Sequence, residues 1–233
     1  MRDGVSTGAL LGIPMAIARS PSKLSLPQEN PGVLTVLEYL ALRFPTIDID
    51  LWRQRMADGK VHWHDGSLIH ANSPFIPQQR VYYYREVESE PVVPFEEKIL
   101  FQDELILVAY KPHFLPVHAG GKFVEECLQS RLRTKTGNQQ LQALHRIDKA
   151  TAGLVLFSVD PESRQHYHHL FQSHQIRKTY QAIASIANTA VVPGQQWDIK
   201  NRIERAGARF LMHCVEGPAN SHSQIRCLET SVD

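Results

Sequence analysis

Leu144-His145-Arg146-Ile147-Asp148-Lys149-Ala150-Thr151-Ala152-Gly153-Leu154 is the stretch on which the reading of this chain turns. Asp148 stands between two cations, Arg146 and Lys149, just ahead of a glycine and an apolar strand over 154–159. Positive charge nearby favours the ionised carboxylate, the form a nucleophile needs. Gly153 lets backbone approach closely where the strand begins. The one other acid close by, Asp160, is taken up in starting a helix, so a pair of carboxylates for hydrolysis has little support. Chemistry alone leaves a second reading of equal weight, a surface ion pair in a loop.

Working outward, 99–101 and 105–110 read as a hairpin around Asp103-Glu104, closed by Lys111-Pro112. Residues 122–132 read as a helix with Phe123, Cys127 and Leu128 inward. Asp160-Pro161-Glu162 supplies an N-cap, an N1 proline and an acidic first turn for a helix to about Ser173. Strands are expected over 179–186, 209–215 and 223–228. Helices and strands alternate irregularly, without the βαβ repeat of a parallel sheet, so the class is α+β.

The first third has its own pattern. Leu34, Leu37, Leu40 and Ala41 form one apolar face, and Phe44-Pro45 ends that helix. A second helix from Ile49 to Ala57 directs Leu51, Trp52 and Met56 inward and stops at Gly59. A hairpin over 60–71 turns at Asp65-Gly66, and 80–85, with three consecutive tyrosines, is another strand. Alternation makes core packing the first reading of those tyrosines and base stacking the second. Glu88 to Pro94 reads as a linker, and residues 1–31 as a flexible lead-in.

Composition sets bounds. The 233 residues are 42% hydrophobic and 21% charged, ordinary for a globular chain that needs no staples. Three scattered cysteines with no CxxC pair argue against a disulfide scaffold or a cysteine-based zinc site and for the cytoplasm. The apolar run from Gly8 to Ala18 is too short to span a bilayer, so no membrane partner is expected. His166 and His169 share a helical spacing but lack a third ligand nearby, so no metal is expected. The net charge of +1 conceals an uneven distribution: residues 1–120 carry 11 basic and 14 acidic side chains, and residues 121–233 carry 14 and 10. The basic half holds the cluster Arg131, Arg133, Lys135, Arg146 and Lys149, which suits a phosphate backbone as well as a plain solvated surface.

His145-Arg146-Ile147-Asp148-x-x-Thr151-Ala152-Gly153-Leu154 resembles the HRLDxxTSG motif of the RluA-type pseudouridine synthases. Val108-Ala109-Tyr110-Lys111-Pro112-x-x-x-Pro116-Val117-His118 resembles that family's opening strand and lysine–proline turn, and Lys178-x-Tyr180-x-Ala182 its later K-x-Y-x-A motif. Three motifs in order cover about Pro94 to Glu229. The helix–helix–hairpin at 34–87 resembles, more weakly, the S4-like RNA-binding module that precedes some of these catalytic domains.

The resemblance implies a mixed, mainly antiparallel catalytic domain at 94–233 behind a small α-α-β S4-like module at 32–90. It implies a monomer that isomerises a uridine in structured ribosomal or transfer RNA to pseudouridine without a cofactor. Asp148 would be the covalent nucleophile, with attack at base C6 or at sugar C1′ both open. Tyr180 would pack on the target uracil, and Arg146 would help displace the nucleotide from its stack. His145, Thr151 and Lys178 would join the substrate site, with Lys111, Arg131, Arg133 and Lys149 as RNA contacts. Such chemistry requires a base out of its stack, and RNA loops present one at low cost. The family's H-Q-[IL]-R motif has only an imitation here, Ser223-Gln224-Ile225-Arg226, which alternates like a strand. The catalytic domain is therefore expected to be C-terminally incomplete. The alternatives are a catalytically inactive RNA-binding protein or a fragment of such an enzyme, and more distantly a glycosylase.

Overall fold

The structure is a computed structural model that describes residues 16–185, 190–207 and 211–231. The start of the lead-in, residues 1–15, and the expected strand residues Ile186, Arg209 and Phe210 lie outside the described residues. The chain forms two compact units, residues 1–177 and 178–233.

The first unit opens with β1 (Ala16–Ile17) and β2 (Ser22–Ser25), followed by α1 (Val36–Arg43) and α2 (Ile49–Ala57). Then come β3 (Val61–Trp63), β4 (Arg80–Tyr83) and β5 (Glu86–Val87). Residues 16–31, expected as part of a flexible lead-in, thus supply two strands. β2 and β3 pair antiparallel on either side of β4, and β1 pairs with β5. Thr35 caps α1 in a full capping box with Glu38. That cap starts the helix one residue beyond Leu34, which stays 81% exposed, so the apolar face is Val36, Leu37, Tyr39 and Leu40 rather than one that includes Leu34. α2 buries Trp52 and Met56 but leaves Leu51 exposed. Its end is a Schellman motif: Lys60 N donates to Arg55 O at 2.8 Å and Gly59 N to Met56 O at 3.1 Å, with Gly59 at φ +72. The Asp65-Gly66 turn forms as expected, with bonds from Trp63 N to Ser67 O and from Ile69 N to Val61 O. Leu24, Val61, Trp63, Val81 and Tyr83 face a core shared with both helices.

A second core in the same unit is built on β6 (Lys98–Gln102), β7 (Ile106–Lys111), α3 (Leu128–Thr136), β8 (Gln142–Ala143) and β9 (Gly153–Ser158), followed by α4 (Arg164–Gln172). The sheet runs β6-β7-β9-β8 and is antiparallel throughout. α3 begins at Leu128, six residues later than expected. Glu90 accounts for the delay: its carboxylate accepts the backbone N–H groups of Val124, Glu125 and Glu126 at 2.5, 2.9 and 2.6 Å, holding them out of a helical turn. Val93 is buried and donates its N–H to Glu126 at 2.8 Å, so the stretch expected as a linker is fastened to its neighbours.

The second unit carries β10 (Gln196–Arg205), β11 (Met212–Val215) and β12 (Ser221–Arg226), with β10 central and both pairings antiparallel. The expected strand at 179–186 is absent from the described residues 179–185, while the long β10 went unread. Gln224-Ile225-Arg226 lies in β12, as its alternation predicts. Among the described residues, the buried core ends at Phe157, and none of it lies in this unit.

Candidate active site

The decisive stretch is a loop running from β8 into β9. Leu144 N donates to Leu156 O at 2.8 Å, which extends the strand pairing by one residue. His145 then takes the place of a backbone acceptor: its Nε2 accepts the Leu156 N–H at 3.1 Å, so that nitrogen carries no proton. The ring also lies 5.0 Å from Phe171 of α4. Ile147 is half-buried against the second core, and Thr151 N donates to Asp148 O at 3.1 Å, closing a turn. Gly153, at φ +141, takes the chain into β9 in a conformation that L side chains avoid. The result is an exposed Asp148 carboxylate on a loop whose two ends are tied to a sheet.

Two residues of the turn after β7 secure the same loop. Lys111 is fully buried, and its Nζ donates to Pro112 O at 2.9 Å, Leu115 O at 2.7 Å and Lys149 O at 3.1 Å. Three donors meet three carbonyls, so the ammonium is satisfied without a carboxylate in contact. Burial pulls its pKa down to about 8, and the field of Asp148 resists that pull. His113 Nδ1 lies 2.7 Å from Ala150 O, and because a carbonyl can only accept, this nitrogen carries the proton. Asp148 is thus flanked by two residues, Lys149 and Ala150, whose carbonyls are each held from across the site.

The expected RNA contacts have different surroundings. Lys111 points inward with Leu107 and Ala109, because β7 alternates. Arg131 is committed to Glu126, to Glu97 at 3.2 Å, and to the carbonyls of Phe95 and Val93 at 2.7 and 2.8 Å. Arg133 is half-buried and donates through Nε to Leu141 O at 2.9 Å. Lys149 remains exposed with its ammonium 5.6 Å from the Phe123 ring centre, and Arg146 is exposed beside Asp148. The structure therefore brings His145, Arg146, Asp148, Lys149 and Thr151 together on one loop, with Lys111 beneath it. Lys178 and Tyr180 lie in the second unit, outside any helix or strand, and Tyr180 is 59% exposed.

The reading of the sequence missed His113 and Glu90. His113 sits two residues past a quoted lysine, but its partner is a backbone carbonyl 37 residues away, which no local pattern marks. Among the described residues no group of three or more His, Cys, Asp or Glu could hold a metal ion, and no helix is long and apolar enough to cross a membrane. What the site can do chemically is present an exposed carboxylate on a loop whose backbone is held, with the exposed cations Arg146 and Lys149 near it in sequence.

Comparison with known proteins points the same way. The family model described as RNA pseudouridylate synthase matches residues 105–231. An uncharacterized RNA pseudouridine synthase of Synechocystis is 28% identical over 148 residues, 64% of this chain and 50% of that protein. A tRNA pseudouridine synthase C of Vibrio parahaemolyticus is 32% identical over 94 residues, 40% of this chain and 38% of that protein. The chain thus spans half the length of the first relative and less of the second. Among solved structures, human RNA Pseudouridylate Synthase Domain Containing 4 shares 20% identity over 54% of this chain and 50% of that chain, at a TM-score of 0.34.

Proposed function

The chain belongs to the RNA pseudouridylate synthase family, and from that membership we propose that it isomerises a uridine of ribosomal or transfer RNA, with Asp148 as nucleophile. The observation that carries this reading is the loop itself: the family's aspartate position is occupied by an exposed carboxylate whose neighbouring carbonyls are held by Lys111 and His113. Holding a reacting group in place removes orientational freedom that would otherwise be lost at the transition state. Asp148 attacks the flipped uridine at C6 or at C1′, the N1–C1′ bond breaks, the uracil turns within the site, C5 is joined to C1′, and the bond to Asp148 breaks to return the free carboxylate while N1 takes up a proton. The C5 proton leaves in the last step. Arg146 stands in the space of the displaced base, and Lys149 meets phosphate. His145 and Thr151 shape the loop.

The test follows from the departing proton. RNA tritiated at uridine C5 releases label to water on incubation with the chain, and Asp148→Asn abolishes release. Undiminished release by that variant sinks the nucleophile assignment. Salt-sensitive RNA binding without any release selects the inactive RNA-binding protein instead.

A further inference from the structure

The outer face of the β2-β4-β3 sheet carries an aromatic column that no role described so far uses. Alternation turns Val81 and Tyr83 into the core and Tyr82 away from it. Tyr82 pairs in register with His62 of β3, and their rings lie 5.4 Å apart at 10°, stacked. His64 stacks on Tyr82 at 5.7 Å and 29°, with its Nδ1 2.9 Å from the Tyr82 hydroxyl. Tyr84 lies 6.1 Å from His62 on the other side. The order is Tyr84, His62, Tyr82, His64, and the last ring is exposed.

Two exposed cations share this face. Lys23 is the register partner of Tyr82 on β2, and Arg80 lies two residues along β4; both are exposed. Asp65, the residue after His64, is turned back on Ser67, accepting its N–H at 3.0 Å and its hydroxyl at 2.6 Å. Aromatic faces bordered by cations are what an unpaired nucleotide uses, the base on the ring and the phosphate on the cation. We propose that this face binds single-stranded RNA, with an unpaired base extending the column at His64 and the flanking phosphates on Lys23 and Arg80. The proposal rests on RNA being the substrate and adds a second contact surface, made by different residues from the Asp148 loop.

The experiment uses the full chain and a short uridine-rich oligonucleotide carrying one 5-iodouridine. Irradiation is expected to crosslink the oligonucleotide to the peptides containing His64 or Tyr82. In anisotropy titrations Tyr82→Phe, which keeps the ring, binds like the natural chain, whereas Tyr82→Leu and the exposed His64→Ala each bind at least about fivefold more weakly, the loss of one stacked base. His64→Ala covers the case in which Tyr82→Leu fails to fold. Unchanged binding by folded ring-deletion variants, or crosslinks confined to other peptides, overturns the proposal. A change in sedimentation without a change in RNA binding overturns it too, since the face then belongs to a protein partner or a second copy. Ring-dependent binding without tritium release would refute the isomerase reading and leave this one standing.

Discussion

Lys111 offers the sharpest quantitative test of the site. Its pKa falls from 10.5 to about 8 because the ammonium is buried. A shift of that size corresponds to roughly 3 kcal/mol of unfavourable burial for the charged form. Its three hydrogen bonds to carbonyl oxygens hold the ammonium in place while it is charged. Below pH 8 the lysine is charged in both folded and unfolded chains, and the burial penalty is constant. Between pH 8 and 10.5 the folded chain has released the proton and the unfolded chain still holds it, so stability rises with pH. Lys111→Met cannot titrate, and at neutral pH it leaves three carbonyls without their donor, so it is less stable by a few kcal/mol. The difference in unfolding free energy between natural chain and variant is therefore expected to widen across that window by about 1.4 kcal/mol per pH unit, to roughly 3 kcal/mol. Urea unfolding followed by circular dichroism, repeated from pH 7 to 11, reads it directly. A difference that stays flat across the window refutes the lowered pKa, since the folded lysine would then keep its proton as long as the unfolded one does. The same titration has a functional echo: a neutral amine donates two hydrogen bonds, not three, so tritium release should decline as pH rises through 8.

Other residues give further tests. Glu86 is nearly enclosed and paired with Arg55 at 2.9 Å and Lys60 at 2.6 Å. Burial raises its pKa, but the two cations outweigh burial and hold it below its ordinary 4.5. Its pairing therefore stabilises the fold above that value and is lost as pH falls through the lowered one. Glu86→Gln should cost roughly 3 kcal/mol at pH 7 and progressively less in acid, measured by urea unfolding at both pH values. Glu90→Ala strips the acceptor from three backbone N–H groups and should cost roughly 2 kcal/mol, with faster hydrogen exchange at Val124 to Glu126; unchanged exchange there would contradict the fastening of this segment. Residues 178–233 prepared alone should give a collapsed amide spectrum, because three strands without a buried apolar face cannot offset their ordering entropy. A well-dispersed spectrum would show that reasoning to be wrong.

Local rules made much of the fold legible. Termination signals located the ends of both N-terminal helices to within two residues, since Pro45 and Gly59 act on the residues beside them. Alternation found β7 and β9, whose inward residues are Leu107, Ala109, Val155 and Phe157. One failure comes from an interaction between residues far apart in sequence. Nothing in 122–132 reveals that Glu90, more than thirty residues earlier, captures the amides that a helix there would need. β10 escaped notice for another reason. Its half-exposed, polar sequence Gln196-Trp197-Asp198-Ile199-Lys200-Asn201 alternates too weakly to stand out, and partners on both sides make it the central strand.

The two lysines closest to Asp148 show where residue type ends as a guide to role. Lys111 and Lys149 were given the same task from sequence, a phosphate contact, because both are cations near the motif. Period-2 alternation already separated them: a lysine in register with Leu107 and Ala109 must point inward. An inward ammonium has to find acceptors, and those within reach are carbonyls of the two loops that make the site. Lys149 lies within the turn that Thr151 N closes on Asp148 O, and it stays exposed over Phe123. The two are joined by one hydrogen bond, from the buried ammonium to the backbone of the exposed lysine. That bond ties the position of the loop to the charge state of a residue that never touches the ligand. A lysine expected to bind RNA is therefore a positioning residue, and removing it should alter the loop before it alters affinity for the polyanion.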